Sequence, residues 1–244
     1  MLSLLKKEIS SFLSSLIGYV VICVFLLTVS LFLWVFPDTE MNILESGYAN
    51  IDALFAIAPW VFMFLIPAIT MRSFAEEKRT GTIELLLTRP LTDLNIILAK
   101  YLSGLVLVVI SLIPTLVYVI TVYLLGSPSG NLDFGGLWGS YIGLIFLASG
   151  FVAIGVFASA ITDSQITAFI LAVFICFFCH AGFQSISGLS LLGKIDDIIL
   201  QMGISAHYNA MSRGVIDTRD VIYFVSLSAV FVLSTRTVLE SRKW

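Results

Sequence analysis

Leu137-Trp-Gly-Ser-Tyr-Ile-Gly-Leu-Ile-Phe-Leu-Ala-Ser-Gly-Phe-Val-Ala-Ile-Gly-Val-Phe-Ala-Ser-Ala-Ile161 is a run of 25 residues without one charge. At 1.5 Å per residue a helix of that length spans about 37 Å, more than the roughly 30 Å hydrocarbon core of a bilayer. Similar stretches recur at 16–36, 53–71, 102–125 and 165–187, and a sixth at 220–239 reaches full length if Arg236 snorkels to the interface. Apolar residues make up 59% of the 244 and charged ones 12%, against about 45–50% and 25% in soluble domains. Too little polarity is present to cover such a core in water, so the expected fold is an all-α integral membrane protein of six transmembrane helices. The net charge of −3 and the lack of a basic tract exclude nucleic-acid binding. The three cysteines lie in apolar runs and suggest no disulfide framework.

Lysine and arginine give the orientation. Lys6, Lys7, Arg72, Lys78, Arg79, Arg89, Lys100, Arg236, Arg242 and Lys243 fall on one side of the six runs, and only Lys194, Arg213 and Arg219 on the other. The basic side is expected to be cytoplasmic, with both termini there. Trp34, Trp60 and Trp138 fall toward the other ends of their spans, as interfacial anchors do. The first run is too long for a signal-peptide core and lacks a small-residue cleavage site, so it is expected to stay. Before it, Leu2, Leu5, Ile9 and Phe12 recur at helical spacing opposite Lys6, Lys7 and Glu8, which predicts an interfacial amphipathic helix over 1–15.

Several motifs invite a chemical reading. Cys176-Phe-Phe-Cys179-His180 matches a c-type haem attachment pattern, but its depth in the fifth run favours helix packing. His180 keeps interest as an intramembrane ionisable group, for packing or for a gate. Gly188 to Lys194 has the front of a phosphate-binding loop, with Ile195 where a Mg²⁺-ligating hydroxyl belongs. No catalytic residue and no metal site are read from the chain, and no cofactor is assigned to it. Gly135, Gly139 and Gly143 form a small-residue stripe expected to pack helices within the chain, with a dimer seam as the alternative. Pro59, Pro67 and Pro114 are expected to kink their spans.

The largest polar island is the loop at 72–97, which reads Arg72-Ser-Phe-Ala-Glu-Glu-Lys-Arg-Thr-Gly-Thr-Ile-Glu-Leu-Leu-Leu-Thr-Arg-Pro90 at its start. Gly81 and Pro90 break it into two short helices, and Ile83, Leu86 and Leu87 give the second an apolar face. Such a segment suits a protein partner, or else rests on lipid headgroups.

This loop resembles the one after the second span in ABC-2 type permeases, and Leu98-Ala-Lys-Tyr101 and the stretches 212–220 and 240–244 are similar to theirs. Within that family the chain most resembles permease subunits associated with gliding motility in Bacteroidetes-type bacteria. The resemblance implies a type V exporter-like permease that pairs with a second permease, as homo- or heterodimer, and with an ABC ATPase subunit that carries the ATP and Mg. It also implies that Glu76, Glu77, Lys78, Arg79, Thr80, Gly81, Thr82 and Glu84 belong to a coupling helix that docks on the ATPase. In the family the region corresponding to 188–219 forms short outer-face helices. Here Leu192, Ile195 and Ile199 lie on one helical face, and with His180 they are the outer-gate candidates, an amphipathic helix anchored on the outer surface without a gating role being the alternative. A scaffold that an ATPase drives without transport is the rival reading.

Overall fold

The computed structural model describes residues 1–37, 41–83, 92–128, 130–188, 193 and 195–241, with Ile195 described by its backbone. The amphipathic helix α1 (Leu2–Leu13) turns at Ser14 and Ser15 into the first span, α2 (Leu16–Ser30), which closes in a π-helical turn at Leu31–Val35. A short α3 (Ile43–Ser46) leads to α4 (Asp52–Thr70) and its extension α5 (Arg72–Arg79). The third span is α6 (Asp93–Leu112) joined to α7 (Leu116–Leu125), and the fourth is α8 (Phe134–Ile161). The fifth runs from α9 (Gln165–Phe177) through a π-helical turn at Phe178–Gly182 into α10 (Phe183–Ser187). Two short helices follow, α11 (Ile195–Met202) and α12 (Ile204–Met211), before the last span, α13 (Thr218–Glu240).

Six helices are thus long and apolar enough to cross a membrane, and the described residues form no strand. Helices meet the need to satisfy every backbone group within the segment, which hydrocarbon imposes. They alternate in direction, so one end of the bundle collects Lys6, Lys7, Arg72, Lys78 and Lys100 and the other Asp52, Asp133, Asp196, Asp217 and Asp220. At the acidic end the carboxylates cap helices. Asp133 accepts from the amides of Gly135 (3.0 Å) and Gly136 (3.1 Å) at the head of α8. Asp217 does the same for the Arg219 amide (3.0 Å), a bond that holds its carboxyl below the ordinary carboxylate value.

The helices outrun the uncharged stretches. The third uncharged run starts at Leu102, but the helix starts at Asp93, where the Thr92 hydroxyl accepts from the Asn95 amide at 3.4 Å. Lys100 is therefore carried inside a continuous helix. Pro114 interrupts this span with a 3₁₀ turn at Ile113–Thr115, because it lacks the amide an α-helix needs there. α4, by contrast, runs on as one helix through Pro59 and Pro67 and breaks only at Met71, whose amide bonds the Pro67 carbonyl at 2.8 Å.

The centre of the bundle is α8, which packs against α4, α5, α6, α9, α12 and α13. One helix can have so many neighbours because its side chains are small where they come closest. A Cβ placed on Gly155 would collide with the Thr70 hydroxyl of α4. Gly104 of α6 faces Val152 of α8 in the same way, with its Cβ position 2.9 Å from a valine methyl. Around this axis Phe25, Phe55, Phe62, Phe151 and Phe224 are fully buried. Polar pairs join the helices: Thr115 with Tyr141 at 2.8 Å, and Ser30 with Tyr118 at 2.6 Å. The outer helices turn apolar stripes away from the core, such as Ile166, Ile170 and Phe174 on α9, a surface stable only against hydrocarbon.

Substituting Gly155→Ala should force α4 and α8 apart at Thr70. The expected loss is about 1–3 kcal/mol, typical of overpacking, read as a lower thermal unfolding midpoint in detergent. An unchanged midpoint would mean that the two helices do not approach so closely.

Candidate coupling site

Local geometry explains why α5 is a separate, firmly held helix. It starts at Met71, which supplies no side-chain cap. The first amides of a helix have no intrahelical acceptor. Here the cap comes from another span: the Ser159 hydroxyl, buried near the end of α8, accepts from the amides of Phe74 (2.9 Å) and Ala75 (3.0 Å) and donates to the Met71 carbonyl (3.0 Å). One side chain of the fourth span thus fixes the break between α4 and α5.

Two lysines hold α5 from opposite sides. The Lys78 side chain is 2% exposed, and its ammonium donates to the carbonyls of Ala160 and Thr162, with Asp163 at 3.8 Å. A cation there matches the negative end of the α8 dipole and its unpaired last carbonyls. On the other side Lys100, 2% exposed, reaches from α6. Its ammonium donates to Glu77 Oε1 (2.9 Å), to Glu8 Oε1 (3.2 Å) and to the Ser73 carbonyl (2.6 Å), and it lies 5.1 Å from the centre of the Phe74 ring. All three N–H donors of the ammonium are engaged. A buried charge survives only when paired and hydrogen-bonded, so Lys100 holds α1, α5 and α6 together. Beside it opens a cavity of about 240 Å³ lined by Lys7, Arg72, Glu76 and Ser103 among others.

The predicted coupling residues therefore divide. Glu76 pairs with Arg72 at 2.8 Å, one helical turn away. Glu77, its side chain 15% exposed, and Lys78 are turned to partners inside the chain. Arg79, Thr80, Gly81 and Thr82 are exposed at the tip. The Thr80 hydroxyl donates to the Glu76 carbonyl (2.9 Å), and Gly81 takes a left-handed φ of +71° that ends the helix as few other residues could. Glu84 and most of the second short helix read from the sequence lie outside the described residues. Ser159, Glu8 and Lys100 were not singled out from the sequence as site residues. Lys100 did carry a signal, a single charge between Ala99 and Tyr101 in a helical apolar pattern, whereas Ser159 carried none.

At the acidic end the candidates are placed differently. His180 lies in the π-helical turn of the fifth span, edge-on to Trp60 of α4 (5.6 Å between ring centres) and to Phe151 of α8 (6.2 Å). It is packed inside the bundle. Ile199 is half-buried on α11, while Leu192 and the side chain of Ile195 lie outside the described residues, as does most of the Gly188 to Lys194 stretch. Gly139 lies against the Gly214 backbone between α12 and α13, and Gly143 against Met211 at the end of α12, while Gly135 meets its own cap, Asp133. These close approaches are all within the chain. Cys176 is fully buried and Cys179 partly so.

A bundle of six spans agrees with comparison to known proteins. A family model described as ABC-2 family transporter protein matches residues 38–208, most of the chain. The chain belongs to the ABC-2 family. No curated protein matches it. The ABC-2 match makes it a multi-pass membrane protein, the permease component of an ABC exporter, whose role is transport and not catalysis. The matched interval contains α5, Lys100 and Ser159, while Glu8 reaches the cluster from α1, outside it.

Replacing Ser159 by Ala removes the cap and leaves buried amides of α5 without an acceptor. The ABC-2 permease should lose about 1–3 kcal/mol of stability, and limited proteolysis should cut faster within residues 72–91. Unchanged cleavage there would show that α5 does not depend on this hydroxyl.

Proposed function

We propose that the exposed tip of α5, at Arg79, Thr80, Gly81 and Thr82, receives a separate ABC ATPase on the cytoplasmic side of a bacterial inner membrane. The observation that carries this reading is that α5 is fastened on both flanks yet ends in a free polar turn. A push on that turn reaches α8 through Ser159 and Lys78, and α1 and α6 through Lys100. The excess of Lys and Arg at this end supports the cytoplasmic assignment. ATP and Mg belong to the partner, and the energy of ATP hydrolysis is coupled to export by alternating access, in which ATP and cargo favour different states of the permease. A second permease, identical or different, completes the pathway. A contribution to gliding machinery rests on the resemblance of the chain's sequence alone. The alternative, a scaffold that an ATPase drives without moving cargo, would show ATP turnover in reconstituted vesicles and no vectorial transport.

Purification of the tagged chain from its native membranes in mild detergent tests the docking. Mg-dependent ATPase activity should co-purify with the wild type. It should fall about tenfold with Arg79→Glu, on the scale of a lost charged contact at an interface, while the thermal midpoint stays unchanged because this side chain is exposed. Undiminished ATPase recovery with Arg79→Glu combined with Thr82→Glu would place the docking surface elsewhere.

A further inference from the structure

His207 of α12 stands between two acceptors. Its Nδ1 is 2.7 Å from Oδ1 of Asp220, in the first turn of α13, and its Nε2 is 2.8 Å from the carbonyl of Gln201, near the end of α11. A carboxylate and a carbonyl can only accept, and a neutral imidazole has a single N–H. Both bonds can exist together only when the ring carries two protons. The ring stacks on Tyr223 with centres 4.0 Å apart and planes 19° from parallel, a position in which a cation is attracted to the π face. Tyr223 in turn is held by its hydroxyl, which donates to the Met202 carbonyl at 2.7 Å. Asp220 is buried, and His207 is the one side chain bonded to its carboxylate among the described residues.

The surrounding elements add little competing charge. α8 presents no charged residue along its whole length. α13 brings Asp220 and Tyr223, and the π-helical turn brings the Cys179 thiol to the neighbourhood of Tyr223. α11 carries Asp196 and Asp197 in its first turn, Asp197 one helical turn before Gln201. On α12 itself the other titratable group is Tyr208, which is turned away and donates to the Phe55 carbonyl at 2.8 Å. Arg213 and Asp217 are exposed on the connection between α12 and α13, and Arg219 is exposed in the first turn of α13.

We propose that His207 is a proton-binding latch: with its second proton it ties the end of α11 to the head of α13, and without it one tie is released. When the ring loses a proton to solvent, the bond to Asp220 is the one kept, since a carboxylate is the stronger acceptor. The Nε2 lone pair then faces the Gln201 carbonyl, and the end of α11 loses this tie, keeping the Tyr223 bond to the Met202 carbonyl. The latch is closed at low pH, where the ring carries both protons, and open at high pH, where it carries one. Its side chain is 18% exposed, so solvent protons reach it. The consequence is a helical cover at the acidic end of the permease whose attachment depends on the pH on that side.

Amide hydrogen exchange on the intact protein in detergent, at about pH 5.5 and about pH 8 and normalised for intrinsic exchange chemistry, tests this. Residues 195–211 should be about tenfold more protected at the lower pH, the size of one charge-assisted hydrogen bond, with α8 unchanged. His207→Phe should abolish the difference and exchange at both pH values as the wild type does in base. His207→Gln, which cannot reach both acceptors, should do the same, and it decides the matter if His207→Phe also loses protection in α8. Equal wild-type protection at the two pH values, or a difference that persists in the folded variant, would overturn the proposal.

Discussion

A lysine ammonium with almost no contact with solvent has to be neutralised where it stands, and the basic end of this permease is organised around that requirement. Lys100 meets it with two carboxylates and a carbonyl drawn from two other helices. Removing one partner from such a cluster leaves a buried charge uncompensated, which is why it specifies geometry more strongly than it adds stability. It joins α1, α5 and α6, of which α1 and α6 also pack along each other. Their position relative to the fourth span follows from a second device, the Ser159 cap and the Lys78 ammonium on the last carbonyls of α8. A short polar helix is thereby made part of the rigid bundle.

α8 can serve as the common support because it carries glycine, alanine and serine at its closest approaches. In hydrocarbon no hydrophobic drive brings helices together, and contact area has to come from close backbone approach and from hydrogen bonds between spans. Gly155 against Thr70 and Gly104 against Val152 supply the first. Tyr141 with Thr115 supplies the second. At the far end the same helix uses Gly139 and Gly143 to admit Gly214 and Met211, so the short helices there lean on the same axis as α5. The two ends of the molecule thus share one structural member.

Most of the fold could be read from the sequence because hydrocarbon imposes a simple rule, and long uncharged runs located all six spans. The rule measures hydrocarbon and not helix, so it was silent on the nine residues of α6 before Leu102, and with them on Lys100 as a buried group. At the coupling site the residue types were legible and their directions were not. Glu76, Glu77, Lys78 and Arg79 look alike as a charge run, yet the helix turns two of them inward, one onto Arg72 and one into solvent. Ser159 was invisible because a serine in an apolar helix usually bonds its own backbone, and its use as a cap for another helix appears only in three dimensions. His207 and Asp220, thirteen positions apart, gave no motif either. The family likeness of the loop reached further than periodicity did, since the match over residues 38–208 includes it.

The central claim is that Lys100 and Glu77 act as one unit in fastening α5 to the bundle. A double-mutant cycle on unfolding stability in detergent, with Lys100→Met, Glu77→Gln and both together, measures this most directly. The account predicts a coupling of about 1–3 kcal/mol, the double variant being little worse than Lys100→Met alone. Effects that add to within about 0.5 kcal/mol would show that the two residues stabilise the protein independently and would contradict it.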